Sequence, residues 1–181
     1  MARLILTPPM ARVATSQLIQ RLEAALQLFP ELGDEPVTFG LTTSRWLDGL
    51  AIPEERFIRL NPFRRRMVTY FTIGHELTHL LQPPGLPLIP SGEVQCDIWT
   101  LARDELFLDE KPPYLQVNCD GRAWRRHAHA VRRLCRQAID VRSRNRQYIV
   151  WLRRQLDDYF QPKAKQLDLF ESCPRTLSRP L

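Results

Sequence analysis

The chain has 181 residues, a hydrophobic fraction of 44% and a formal net charge of +6. This length predicts one domain with at most a small helical extension, and the apolar content is ample for a core. We expect neither a membrane span nor a signal peptide, because no apolar run is long enough for either. The four cysteines form no C-x-x-C pair, so free thiols in a cytoplasmic protein are expected. They are Cys96, Cys119, Cys135 and Cys173.

The first element predicted along the chain is an amphipathic helix over residues 10–30. Apolar residues recur there at helical spacing, so that one face can be buried. Either Thr15 or Ser16 is suited to cap its N-terminus, because a hydroxyl can accept a hydrogen bond from a free backbone N–H. The predicted apolar stripe comprises Leu18, Leu22, Ala25, Leu26 and Phe29.

Two strands are predicted after this helix. Val37–Thr42 and Arg56–Leu60 are short and rich in β-branched, aromatic and other apolar residues. Gly49 and Pro53 mark the connection between them. We expect Trp46 to pack beneath that connection.

The pentapeptide His75-Glu76-Leu77-Thr78-His79 has the pattern H-E-x-x-H. On a helix, His75 and His79 lie one turn apart on a single face and can share one metal ion. Zinc accepts neutral imidazole nitrogen in tetrahedral geometry. Glu76 can stand beside the ion and take a proton from an activated water molecule. The alternative is a pair of structural core histidines. The opposite helix face carries Tyr70, Ile73, Leu77, Leu80 and Leu81.

A second helix is predicted after a proline-rich reversal. Residues 83–90 contain four prolines and cannot continue a helix. Ser91 offers an N-cap for a helix over residues 92–103. On this helix Glu93 and Asp97 are one turn apart, so Glu93 can return to the two histidines while Asp97 accepts the outer N–H of one of them. The alternative is a solvated acidic face.

The pattern H-E-L-T-H, followed by E-x-x-x-D on the next helix, resembles the gluzincin class of zinc metallopeptidases. The short chain is similar to the smallest members of that class, the minigluzincins, and the resemblance covers about residues 36–110. It implies an α+β, zincin-like domain that hydrolyses peptide bonds. By this resemblance His75, His79 and Glu93 bind Zn²⁺, Glu76 is the general base and Asp97 orients a ligand histidine. An edge strand beside the metal would then pair with an extended peptide substrate.

The chain departs from the large gluzincins in two respects. Its connector from His79 to Glu93 is shorter, and no late residue that holds the oxyanion can be assigned from the sequence. Tyr114, His127 and His129 are the candidates. The SprT type of protease resembles this chain in the first motif but uses a histidine as third ligand, and no histidine lies between His79 and His127.

The predicted organisation has three parts: a zincin-like domain over residues 1–115, a basic helical extension over 116–161 and a flexible tail over 162–181. Residues 122–160 contain eleven arginines and three aspartates. The arginines from Arg122 to Arg154 predict a DNA-binding surface, and the alternative is a solvated helix pair. Two helices are expected there, with apolar faces formed by Trp124, Ala128, Val131, Cys135 and Ala138, and by Tyr148, Leu152, Leu156 and Tyr159.

The tail contains Gln166-Leu167-Asp168-Leu169-Phe170. This segment resembles the linear motif by which bacterial DNA polymerases and repair proteins bind the sliding clamp. Leu169 and Phe170 would fill an apolar pocket, Leu167 would add contact area and Gln166 would fix the register. The alternative is a cap that folds back onto the domain.

These features together predict a zinc metalloendopeptidase that acts on proteins at DNA or at the replication machinery, as in the repair of DNA–protein crosslinks. Three alternatives remain at this point. One is a general small peptidase with no DNA role, and another is a latent peptidase whose C-terminal segment blocks its own cleft. The third is a non-catalytic adaptor with structural zinc, for which Cys96 is a candidate closing ligand.

Overall fold

The computed structural model describes residues 2–64 and 67–161, and within these ranges the chain is an α+β fold with six α-helices and one four-stranded mixed sheet. The predicted clamp motif Gln166–Phe170 lies outside the described residues. The strands are β1 (Leu4–Leu6), β2 (Val37–Leu41), β3 (Gly49–Ile52) and β4 (Phe57–Leu60). The helices are α1 (Pro8–Val13), α2 (Ser16–Gln27), α3 (Tyr70–His79), α4 (Glu93–Arg103), α5 (Trp124–Arg142) and α6 (Tyr148–Phe160).

The sheet has the strand order β1-β2-β4-β3. β1, β2 and β4 run parallel, whereas β3 is antiparallel to β4 and lies at the edge. The two predicted strands correspond to β2 and β4. β1 was not predicted because it has only three residues, and β3 because its sequence Gly-Leu-Ala-Ile begins with glycine and shows no alternation of apolar and polar residues. In β3, Gly49 lies opposite Leu60 and Ile52 lies opposite Phe57.

The helix predicted over residues 10–30 is in fact two helices, α1 and α2. Thr15 adopts an extended conformation between them, and its hydroxyl accepts a hydrogen bond from the N–H of Leu18 at 3.2 Å. Thr15, rather than Ser16, therefore caps the second helix. The predicted apolar stripe is confirmed, since Leu18, Leu22, Ala25, Leu26 and Phe29 are all buried.

Two hydrophobic clusters pack against opposite sides of α3. The first packs α1, α2 and the inner face of α3 against the sheet. The second joins Phe71 of α3 and Ile98 and Leu101 of α4 to the apolar faces of α5 and α6. The predicted faces of those two helices are buried, except that Tyr159 is 43% exposed. Helices α3 and α4 are therefore held from both sides, which fixes the geometry between them.

Within residues 2–64 and 67–161, no helix is both long enough and apolar enough to cross a bilayer.

Candidate metal centre

Helix α3 is anchored at its N-terminus by side chains from two places in the chain. The hydroxyl of Thr69 accepts a hydrogen bond from the N–H of Thr72 at 3.0 Å. The carboxylate of Asp109 accepts hydrogen bonds from the N–H groups of Tyr70 and Phe71 at 2.8 and 2.9 Å. An acidic group at this end also interacts favourably with the helix dipole. The helix is thus fixed one turn before its first histidine.

The reversal between α3 and α4 is held by one amide side chain. Gln82 donates hydrogen bonds to the carbonyl groups of Pro90 and Gly92 at 2.6 and 3.0 Å. The predicted N-cap at Ser91 is wrong, because Gly92 occupies the cap position with φ of 120°, a value that residues with a Cβ rarely adopt. The helix consequently begins at Glu93 and presents this carboxylate in its first turn.

Three side chains from α3 and α4 meet at one point. Oε2 of Glu93 lies 3.0 Å from Nε2 of His75 and 3.3 Å from Nε2 of His79. The other ring nitrogens face acceptors, since Nδ1 of His75 is 2.9 Å from Oδ1 of Asp97 and Nδ1 of His79 is 2.9 Å from Oε1 of Gln82. With a proton on each Nδ1, both Nε2 lone pairs are available for a metal ion.

Asp97 links the histidine to the wall of the cleft. It is fully buried, and its Oδ2 accepts hydrogen bonds from the N–H groups of Tyr114 and Leu115 at 2.7 and 2.6 Å. Its Oδ1 lies next to Nδ1 of His75. Neither Oδ1 of Asp97 nor Nδ1 of His75 has another hydrogen-bonding partner in the described part of the chain. One carboxylate therefore sets both the orientation of the imidazole and the position of Tyr114.

Glu76 is buried between α3 and the edge strand. Its carboxylate lies near the backbone of Ala51 in β3, and this neighbour partly offsets the rise in the pKa of Glu76 that burial causes. Gly49 lies so close that a Cβ added there would stand 2.6 Å from Cγ and from Oε1 of Glu76. Burial is the main cause that raises the pKa of Glu76, to about 7. A carboxylate with this pKa accepts a proton readily near neutral pH and can release it again.

The electrostatics of His75, His79 and Glu93 also favour a cation at this point. Desolvation lowers the pKa of His75, but its contacts with Asp97 and Glu93 outweigh this and raise the pKa to about 9. The hydrogen bond from His75 lowers the pKa of Glu93. Burial is the main cause that lowers the pKa of His79, and repulsion from His75 lowers it further. Positive charge is thus favoured between His75 and Glu93, and a metal ion would supply it.

His75, His79 and Cys96 also form a group that could hold a metal ion. The thiol of Cys96 is 3.3 Å from Nδ1 of His79, the nitrogen that also faces Gln82, whereas Glu93 meets both Nε2 atoms. Cys96 is fully buried, and burial raises the pKa of its thiol, which opposes the thiolate form that binds metals. We therefore favour Glu93 over Cys96 as the third ligand.

A cleft of about 430 Å³ opens beside these residues. One wall is the free edge of β3, and the opposite wall carries Tyr114, whose ring stacks on that of His75 with a centroid distance of 5.6 Å. Of the three candidates for holding an oxyanion, Tyr114 alone lines this cleft. His127 packs against Tyr159 and Phe160 on α6, and His129 is exposed near Glu105.

The prediction that Trp46 packs beneath the strand connection is wrong. Its side chain is 84% exposed and lies on the rim of the cleft. The surrounding loop is held by polar contacts instead, since Arg64 donates a hydrogen bond to the carbonyl of Trp46 at 2.7 Å and pairs with Asp48 at 3.2 Å. No apolar burial is therefore needed to fix the loop.

Three residues of the centre were missed by the sequence reasoning. Gln82 follows His79 by three positions, a spacing that places side chains on one helical face, so this partner was detectable. Gly49 and Ala51 approach Glu76 only because β3 forms the sheet edge beside α3, and their sequence carries no local sign of that contact.

Comparisons with known proteins do not assign a family. No protein-family model matches the chain, and neither the curated proteins nor the solved structures gave a match. The function is therefore inferred from the geometry of His75, His79, Glu93 and their neighbours.

Proposed function

We propose that this chain is a zinc-dependent metalloendopeptidase of the zincin type with a gluzincin-like ligand set. The observation that carries the proposal is the convergence of both Nε2 atoms on one carboxylate oxygen, at 3.0 and 3.3 Å. Two imidazoles and one carboxylate are the ligands of a catalytic zinc site, which keeps one coordination position open. His75, His79 and Glu93 would hold the ion.

A bound zinc ion supplies Lewis acidity, which activates water and polarises a substrate carbonyl. The residues of the chain have separate tasks. Glu76, buried against Gly49 of β3, accepts a proton from the attacking water and delivers it to the leaving amine. Tyr114 remains protonated, because burial raises its pKa, and its hydroxyl can donate a hydrogen bond to developing negative charge in the cleft.

The substrate in this proposal is a protein or peptide in an extended conformation. β3 is an edge strand, and Gly49, Leu50 and Ala51 line the cleft. A peptide that aligns with this edge can form backbone hydrogen bonds and present its carbonyl groups towards Glu76.

A cleavage assay tests the proposal. The zinc-loaded protein is incubated with an unfolded protein substrate, and fragments are identified by mass spectrometry. We expect cleavage by the wild type, none by Glu76→Gln, and equal zinc content in both, because Glu76 is not a ligand. The enzymatic role would be refuted if Glu76→Gln produced the same fragments at the same rate as the wild type.

A second candidate function is a non-catalytic adaptor with structural zinc. The contact between Cys96 and His79 favours it, because a thiolate could close the coordination sphere. Cys96→Ser separates the two functions. Zinc affinity should change little if Glu93 is the third ligand, and should fall strongly if the thiolate binds.

A cellular context is proposed separately from the chemistry. Gln166–Phe170 would bind the bacterial sliding clamp and bring the peptidase to replication sites in the cytoplasm. A pull-down with purified clamp compares the intact chain with Leu169→Ala/Phe170→Ala. Clamp recovery should be lost in the double variant, whereas equal recovery, or none from the intact chain, would remove the replication role and leave the peptidase.

A further inference from the structure

We propose that one face of α5 binds the phosphodiester backbone of double-stranded nucleic acid. The face consists of Arg125, Arg126, His129, Arg133 and Arg136 and is called the arginine face below. The inference goes beyond the proposed peptidase and does not depend on a metal ion. If the nucleic-acid proposal fails, the peptidase proposal still stands, and the reverse also holds.

The arginine face is continuous along the helix. At about 100° per residue, its five members fall within a sector of about 100°, and they extend over about 16 Å of the helix axis. The opposite side of α5 is buried in the second hydrophobic cluster. The residues of that side are Trp124, Ala128, Val131, Cys135 and Ala138.

The charge of the face is largely uncompensated. Arg125, Arg126, Arg133 and Arg136 are exposed, and none of them takes part in an ion pair within residues 2–64 and 67–161. The neighbouring Arg132 behaves differently, since it is 18% exposed and pairs with Glu105 at 3.1 Å. Glu105 also lies 3.9 Å from His129, and Asp140 ends the face at its C-terminal side.

This arrangement differs from that of an ordinary solvated helix. Solvated faces usually mix both signs, because like charges three or four residues apart destabilise a helix. Arg133 and Arg136 form such a pair on the arginine face. A concentration of unpaired arginines on one side is the electrostatic pattern of a polyanion-binding surface.

The composition of α5 favours a duplex over other polyanions. Proteins that bind single strands add exposed aromatic rings on which bases stack, but Trp124, the aromatic residue of this helix, is 2% exposed. Helices that bind anionic membranes insert apolar side chains beside their basic residues, whereas the apolar side of α5 is in the core. A convex basic helix fits the major groove, about 12 Å wide, with phosphates on both sides.

Fluorescence anisotropy with a labelled 20-base-pair DNA duplex of mixed sequence tests the proposal, with the full chain as titrant. Four phosphate contacts predict a slope of about −3.6 for log K against log salt, which is an affinity loss of about 150-fold between 50 and 200 mM salt. Replacing Arg125, Arg126, Arg133 and Arg136 by Gln should abolish this binding. The matched control replaces the exposed Arg3, Arg12, Arg45 and Arg59 by Gln and changes the net charge equally.

Each variant has one result that supports the proposal and one that overturns it. Retention of binding when the four arginines of the face become Lys, with equal thermal unfolding in all variants, would support a charge effect located on α5. Absence of duplex binding by the wild type at 50 mM salt would overturn the proposal. Equal losses in the α5 variant and in the control would overturn it as well. So would tighter binding to a single strand or to phosphatidylserine vesicles.

Discussion

The substitution Gly49→Ala is expected to disable Glu76 while leaving the proposed metal ligands His75, His79 and Glu93 in place. A Cβ at position 49 would stand 2.6 Å from Cγ and Oε1 of Glu76 and 2.8 Å from its Cδ. Unstrained contacts begin at 3.4 Å, so the Glu76 side chain must move by about 0.8 Å. The carboxylate would then leave its position beside the proposed metal site.

The size of the effect follows from that displacement. A misplacement of about 1 Å at a reacting centre costs about 10²-fold in rate, and loss of a general base costs about 10²–10⁴-fold. We therefore expect kcat/KM of Gly49→Ala to fall about 10²-fold, which corresponds to about 2.7 kcal/mol of transition-state stabilisation. Zinc affinity should stay within about threefold of the wild type, because Glu76 is not a ligand.

The assay combines peptide hydrolysis, zinc titration and thermal unfolding for Gly49→Ala, the wild type and Gly121→Ala. Gly121 is the matched control, because an added Cβ there meets no atom within 4 Å. Cleavage by Gly49→Ala at the wild-type rate would refute the role assigned to the contact between Gly49 and Glu76. Loss of zinc from Gly49→Ala would show that the substitution disturbs the ligands themselves.

Three further predictions concern the ligands and the cleft. Asp97→Asn should weaken zinc binding about 10–100-fold, measured in competition with a fluorescent chelator. The single amide oxygen cannot accept hydrogen bonds from His75 and from two backbone N–H groups together. An unchanged zinc affinity would contradict this role. Tyr114→Phe should lower kcat about 10²–10³-fold at unchanged zinc content if the hydroxyl holds the oxyanion, and a change in KM alone would assign it to substrate binding. Chelation of zinc initially present at 100 times Kd should remove about 2.7 kcal/mol of stability and lower Tm by about 5–10 °C, whereas an unchanged Tm would exclude a site in the folded state.

The sequence predicted the elements of the site that depend on helical spacing. The two histidines, His75 and His79, are four positions apart, and so are Glu93 and Asp97. This spacing places the members of each pair on one helical face before any tertiary contact is known. The pairing of Glu93 with both histidines was inferred from motif resemblance, and the structure brings these side chains together at 3.0 and 3.3 Å.

Other features depend on contacts between distant segments and could not be read locally. β3 is recognisable only through its register with β4, so the backbone contact of Glu76 with Ala51 was not predicted. The position of Trp46 was predicted incorrectly, because hydrogen bonds from Arg64 and not burial hold its loop. The cap of α4 was assigned to Ser91 on side-chain preference, but the backbone conformation at Gly92 decides where the helix begins.

X-ray absorption at the zinc edge on the stoichiometrically loaded protein tests the proposed ligand set most directly. The convergence of His75, His79 and Glu93 predicts a first shell of nitrogen and oxygen only, at about 2.0–2.2 Å, with the outer-shell signal of two imidazole rings. A zinc–sulfur distance of about 2.3 Å would show a cysteine ligand, with Cys96 the candidate beside His75 and His79, and would contradict the proposed set of two imidazoles and one carboxylate.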